Sequence, residues 1–550
     1  MTIGRTRGVK TDRRMRAAPV LVAMATAGIA LVFASASPAA TLQVCPSGCQ
    51  YSQIAAAVAA SQSGDTVAVA AGTYQGGFTI GVSLTLTGAG ANQTIIKGGG
   101  PVVTIGAAGS TKLNVSITGV TITGGVTQSS PISIPLYGKA GVEAAGGGIE
   151  ITPDNIKKGS SGTPGATVTI ASSVITGNRV APTTLIPSPG GATCPGGLCK
   201  YAGAYGGGID NAGDLTLTNT TVSDNSAVSA LASDSDGGGI ENEMGSLTIV
   251  DSTFTANKAG VMPPNGRFAD SGAIDVDKGA LTIRKSSVTH NSATVTAAWP
   301  DSVESGAIGG AIHTKPGSTA TISNTTISDN SVTETNTLGS ANADSAALHT
   351  DVNITLSGDV FADNHVRAVS RGPSTADTDG NSGVGELAGT IRNTRFIGNT
   401  VTVSSANGPA SAEGGSMIFG PGSISNSVIK GNRVSAASPR GSVYAIGGGL
   451  DAGGPPMTLR NTPVSDNTAK ATGRSGTALG GGIGDAAVPN NGPPGGPLTL
   501  TESKVTGNTV SGGAGITIRG GGVFTNFTVM SLTSSAITAN KPDECAGKGC

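Results

Sequence analysis

One asparagine recurs eleven times in this chain, and the residues before it keep step. It stands at Asn178, Asn225, Asn257, Asn291, Asn330, Asn364, Asn399, Asn432, Asn467, Asn508 and Asn540. Three residues before each, the position is always apolar, as in Ile175, Val222, Phe254 and Ile537. Eight before, it is apolar again, as in Ile170, Leu217, Ile249 and Leu532. Five before, it is Ser or Thr in every unit but one, which has Asp359. Self-similarity at intervals of 30 to 50 residues marks a repeat architecture, in which each unit buries its apolar face only against its neighbours.

Within a unit the apolar residues alternate at period 2, as in LTLT at Leu215 to Thr218, which is strand patterning. A glycine run opens most units and leads into an apolar residue such as Ile209, Ile240, Ile274 or Ile312. Three short strands and three corners per unit predict one coil of a parallel β-helix. Stacked coils would pair strand to strand, and the Asn side chains would form an amide ladder. The extra residues between each Asn and the next glycine run, such as 261–270 and 332–344, are expected to be loops on one edge. A second set, 152–165 and 488–497, should leave another corner. Tyr51 to Ser61 is the one amphipathic helical stretch, with Ile54 and Val58 on one face. It should cap the open end of the stack.

The 87 glycines and the low share of charged residues (12%) would suit a low-complexity segment, but the strict apolar register does not. The first 36 residues hold six Lys or Arg and one acid, all within residues 1–16; the apolar run 18–34 and the small residues of 35–40 follow. This is a secretory leader, residues 1–36, with cleavage between 36 and 40. An uncleaved membrane anchor is the alternative reading; no later stretch is apolar and long enough to span a bilayer. Of the 33 basic and 34 acidic residues, 27 and 33 remain beyond the leader, an acidic body that argues against nucleic acid as partner. The six cysteines form three close pairs: Cys45 with Cys49, Cys194 with Cys199, and Cys545 with Cys550. In an oxidising compartment these read as local disulfides, though six cysteines allow about 15 connectivities. The chain then divides into 41–125, the cap and first coils; 126–540, the repeats; and 541–550, a disulfide-closed tail.

The opening 44–90, VCPSGCQYSQIAAAV through SLTLTGAG, resembles the cap and first coils of pectin-lyase-like right-handed β-helix proteins. The GGGI…LTLTNTTVSDN units are similar to repeats of bacterial β-helix surface proteins and polymorphic outer membrane proteins. The resemblance implies an all-β, right-handed solenoid and a secreted or cell-surface bacterial protein. It does not imply one activity, because this fold carries lyases, hydrolases and adhesins alike.

Chemistry is expected in one place. The residue after the inward apolar position of the glycine strand should point outward, and that column reads Glu150, Asp210, Glu241, Asp275, His313, His349 and later Asp451, with Asp277 beside Asp275. Adjacent coils would hold these side chains about 4.8 Å apart, so they would repel and raise a pKa or recruit a cation. The competing reading is a solvated polar face. Asp377, Asp379 and Asn381 resemble part of a calcium loop, but the glycine stands early and no Glu completes it, so a plain turn is the alternative. Calcium is the only cofactor suggested. Polysaccharide grooves favour aromatic platforms and this chain is 3% aromatic. The expectation is therefore a non-enzymatic protein that binds a polysaccharide or cell-surface ligand. The alternatives are a polysaccharide lyase or glycoside hydrolase working from the column, and a structural envelope component.

Overall fold

The computed structural model describes residues 38–550, apart from 107–111, 129–142, 155–162, 184–185, 188–192, 195–196, 199, 265, 454–455, 486–496, 526–528 and 548–549. The expected leader and the Cys194–Cys199 pairing lie outside the described residues. So do most of the two insertions expected at 152–165 and 488–497.

Period-2 alternation has its expected consequence. Leu215 and Leu217 face inward from Asp214–Thr218 and stack on Leu247 and Ile249 of the next coil, with parallel pairing in register. Thr221–Ser223 turns the corner and stacks on Thr253–Thr255, and Ile209–Asn211 stacks on Ile240–Asn242. Repeated along the chain, these three kinds of strand wall a single apolar core of Ile, Leu, Val and Phe. The fold is an all-β, right-handed parallel β-helix. Its helix, Ile54–Ala60, buries Ile54, Ala57 and Val58 against the first coils at i, i+3 and i+4.

The corners are held by two polar ladders. Each Asn Nδ2 donates to the Oδ1 of the Asn one coil on, from Asn178→Asn225 at 3.0 Å to Asn508→Asn540 at 2.9 Å. The same oxygen also accepts the preceding Asn backbone N–H. The ladder is closed at both ends: Gly125 N donates to Asn178, and Asn540 donates to Glu544. The Ser/Thr position five residues earlier forms a second ladder, as in Thr220 N to Ser252 Oγ at 3.1 Å and Ser252 N to Ser286 Oγ at 3.2 Å. Asp359 takes the hydroxyl's place there and accepts from Thr325 N and Ser357 N.

The expected edge loops prove to be strands. Ser331–Asn336 runs out from the Asn corner and Asn342–Asp344 runs back. Both belong to one 20-stranded parallel sheet among the described residues, folded on itself as a side lobe. The lobe has its own core of Ala and Val, including Ala227, Ala293, Val332, Val366, Ala307 and Ala343. Small side chains let its two layers lie close together, and their modest hydrophobic contrast explains why the segment read as loop.

Cys45–Cys49 and Cys545–Cys550 are disulfides. Cys545–Gly547 pairs with Val523–Thr525. In the last coil Leu532 keeps its register on Leu500 yet is 45% exposed, because among the described residues no coil packs on its other side. Among the described residues no helix is long and apolar enough to cross a membrane.

Candidate active site

The glycine run is the junction between lobe and main coil. Gly206, Gly237 and Gly309 hold φ near 60°, a left-handed conformation that glycine adopts at no steric cost. The tight turn brings the end of each return strand against the start of the glycine-run strand. Three columns of residues meet there. The lobe supplies Asp236, Asp270, Ile308, Asp344, Asn381 and Glu413 in register. The glycine-run strands supply Glu150, Asp210, Glu241, Asp275, His313 and His349 in register. Glu386 follows His349, as the Leu348 N–H to Val384 carbonyl bond implies. Two residues further along lie Glu243, Asp277, Lys315 and Asp351 on successive coils.

The middle column was expected to be outward-facing, with a solvated face as one reading. It lies outside the main core, as alternation requires, but it is not solvated. Glu150, Asp210, Glu241, Asp275, His313 and Asp451 are all buried, because the lobe folds back over them.

Lys315 is the hub. Its Nζ lies 2.7 Å from Asp275 Oδ2, 2.8 Å from Asp277 Oδ1 and 3.3 Å from Asp236 Oδ2. His313 Nδ1 lies 3.0 Å from Asp275 Oδ1 and 3.7 Å from Asp270 Oδ2. Burial pushes the Asp275 carboxyl up, but the Lys315 and His313 charges outweigh it and hold that group well below the usual range. Glu241 and Asp236 go the other way: burial, then neighbouring carboxylates, raise both.

One coil on, His349 stacks edge-on to His313 with ring centroids 4.9 Å apart. Its Nδ1 meets Ser345 Oγ at 3.1 Å and Asp344 Oδ2 at 3.8 Å, and its Nε2 lies 3.8 Å from Asp351 Oδ1. Burial lowers the imidazole, yet Asp351, Asp344 and Glu386 together lift it to about 9. Asp351 is correspondingly lowered by its contact with His349. Burial, reinforced by the Asp344 charge, pushes Glu386 up to about 7.

The cluster opens to solvent at this point. Asp351 and Glu386 line a groove of about 520 Å³, with Asn353, Leu387, Ile418 and Gly453 among its other walls. The groove crosses the coils of Thr350, Glu386, Ile418 and Gly453, which follow one another through the pairings Glu386↔Ile418 and Ile418↔Asp451.

A backbone anomaly marks the same coils. The first residue of the glycine run is Ser at 271, 345 and 382, each at φ of 51–59°. A non-glycine residue there costs on the order of 1 kcal/mol. Two of the three hydroxyls touch the columns: Ser271 Oγ donates to Asp275, and Ser345 Oγ bonds His349. The third, Ser382 Oγ, accepts from Ile418 N beside the groove.

Among the described residues two groups have the spacing a metal ion would accept. Asp236, Glu241 and Asp275 have ligand atoms within 4.8 Å of one another, and so do His313, His349 and Asp351. Positive charge is already present in both, as Lys315 Nζ in the first and the readily protonated His349 in the second. We assign neither as a metal centre. Asp377 and Asp379 line a separate cavity of about 300 Å³ with Asp301 and Glu304. Asn381 lies two residues on in the same strand, in the lobe column, paired with Asp344 and Glu413.

Sequence reasoning found Glu241, Asp275, Asp277, His313 and His349. It missed Lys315, Asp351, Glu386 and the lobe acids. Two signals pointed to them: the charged residue two positions after Glu241, Asp275, His313 and His349, and the Gly-to-Ser changes at 271, 345 and 382.

No family model and no curated protein matches the chain. Solved structures are similar to it at the level of fold. The A-module of the Azotobacter vinelandii mannuronan C-5 epimerase AlgE6 is 14% identical over 90% of this chain and 96% of its own, with a TM-score of 0.32. A pectin methylesterase in complex with a hexasaccharide is 10% identical over 52% and 79%, with a TM-score of 0.23. The alginate lyase AlyGC is 10% identical over 87% and 83%, with a TM-score of 0.14. The similarity to polymorphic outer membrane protein repeats rests on the sequence alone.

Proposed function

We propose that this chain is a glycan-processing enzyme that performs proton transfer in the groove at Asp351 and Glu386. One observation carries the reading: two carboxyl groups share a groove while their surroundings push their proton affinities apart. Asp351 is kept ionised by His349, and Glu386 keeps its proton to about pH 7. That division of labour suits a general base and a general acid. Adjacent strands lie about 4.8 Å apart and alternate residues about 6.8 Å apart, which sets the two positions about 8 Å from one another on the diagonal. That falls in the 6.5–9.5 Å range of inverting glycosidases. Glu386 would protonate the leaving oxygen and Asp351 would activate a water, with His349 fixing the charge on Asp351.

A purely adhesive or structural role has no use for so many ionisable groups taken out of water, since burying charge is costly and perturbed groups concentrate at functional sites. We place the enzyme outside the cytoplasm on the strength of the leader pattern and the two disulfides. The test is a panel of polysaccharides assayed for new reducing ends. Activity on one of them that survives in Glu386→Gln and Asp351→Asn would refute these assignments. Binding without turnover would return the chain to the ligand-binding role expected from its sequence.

A further inference from the structure

His349 is held differently from the histidine it stacks on. The register aligns His313 with His349, Ile308 with Asp344, and Gly309 with Ser345. Two positions beyond the histidines stand Lys315 and Asp351. His313 therefore finds neither a hydroxyl nor a carboxylate at these three positions of its own coil. Its Nδ1 turns to Asp275 and Asp270 of the coil before. His349 has all three partners in its own coil. Ser345 Oγ donates to Asp344 Oδ1 at 2.7 Å, which commits the single hydroxyl proton. The 3.1 Å contact between Ser345 Oγ and His349 Nδ1 is then carried by an N–H on Nδ1. Asp351 Oδ1 faces Nε2 at 3.8 Å, which favours a proton on that nitrogen too. His313, Glu386 and Asp270 complete the charged surroundings of the ring.

A second observation points the same way. Ser345 holds φ at 59°, where Gly237 and Gly309 hold 60° at the same position. A serine gains nothing there from its backbone, so what sets it apart from glycine is its hydroxyl. Ser345 is fully buried and out of a substrate's reach, which excludes it as a nucleophile despite its contact with a histidine. Asp344 reaches both partners of the groove. It bonds the serine that holds His349, and it raises Glu386 by its charge and by a side-chain hydrogen bond.

We infer that Asp344 and Ser345 are positioning residues: they hold His349 with a proton on each ring nitrogen and so fix the base Asp351 from the lobe side. This rests on Asp351 and Glu386 being the base and acid proposed above. It also gives the lobe a part in the reaction, because Asp344 ends its return strand.

The test follows the histidine ring resonances of the full chain against pH, a tractable set of four, beside steady-state kinetics on the active polysaccharide. In the native chain His349 should titrate near pH 9. Ser345→Gly restores the residue of Gly237 and Gly309 and removes only the hydroxyl. It should lower the His349 midpoint by about one pH unit and kcat by about tenfold, the size of one hydrogen bond to a charged group, with KM unchanged. The exposed His365 should keep its midpoint. Asp344→Asn places in the lobe column the amide already present at Asn381. It should lower the His349 midpoint and also move the falling limb of kcat/KM to lower pH, because Glu386 loses a neighbouring charge. An unchanged His349 midpoint in both variants would overturn the inference and leave the enzyme reading standing. A lowered midpoint with kcat intact would overturn the positioning role. A lowered midpoint in a chain that turns over no polysaccharide would keep the bonding from Asp344 to His349 and remove the enzyme reading.

Discussion

Two polar columns run up the same molecule and obey the same stacking geometry, yet they differ in every energetic respect. The corner ladder is built from one neutral residue type. Each Asn donates to the next at 2.9–3.0 Å, every rung is buried, and both ends are closed. The junction columns are built from eight or more acids, two imidazoles and one hub lysine, and their members are pushed in opposite directions. A repeat that wanted only stability would carry amides or hydroxyls in both places. Stacked amides satisfy one another, whereas stacked carboxylates repel unless a proton or cation intervenes. The difference separates what builds the rod from what acts on something else. The strained serines reinforce it, since they fall on the charged coils and two of them touch the column.

The contrast can be broken in order of expected effect. In the junction, Glu386→Gln or Asp351→Asn should lower turnover by about 10²–10⁴-fold with little change in melting temperature, because each removes a proton-handling group at the groove. Initial rates on the active polysaccharide, set beside thermal melts, check this. Lys315→Met should cost about 3–5 kcal/mol in stability, because Asp236, Asp275 and Asp277 lose their shared cation. The loss should ease as pH falls and those carboxylates take up protons, which chemical denaturation at two pH values would detect.

In the ladder, Asn364→Ala removes the acceptor for Asn330 and the donor to Asn399. It should cost roughly 2–3 kcal/mol at any pH between 5 and 8, since no charge is involved. The smallest effect is expected at Asp359, the single acid in the hydroxyl ladder. Burial raises it to about 6 against the bonds from Thr325 and Ser357. Its folded pKa therefore lies above its unfolded one, and the chain loses stability as pH rises from about 4 to about 6. Asp359→Thr should abolish that slope and leave the variant about 1–3 kcal/mol more stable at neutral pH. Melting temperatures across pH 4–8 would show a gap that opens and then levels off.

The main coil was legible because its signals are strong and local. Leu215, Leu217 and Val222 alternate clearly against Thr and Ser, and Asn225 recurs at a fixed offset from them. The lobe was not legible. Ala227, Ala293 and Ala343 contrast weakly with the Ser and Thr around them, so a strand pair read as loop. The site was half legible for the same reason. Its middle column could be placed from the Ile209, Ile240 and Ile274 register, but its burial depends on the lobe. Glu386 was hidden because the segment 382–387, SGVGEL, blurs the glycine-run pattern, and Lys315 had no assigned partner until the lobe set Asp236 beside Asp275.

The most direct measurement is the pH dependence of kcat/KM on the active polysaccharide, for the native chain and for Glu386→Gln. If Glu386 is the acid, activity falls as pH rises through about 7 and it loses its proton, and this limb disappears in the variant together with most of the rate. A profile that stays flat from pH 6 to 8, or a falling limb that persists at full rate in Glu386→Gln, would contradict the assignment of the charged junction as the working site.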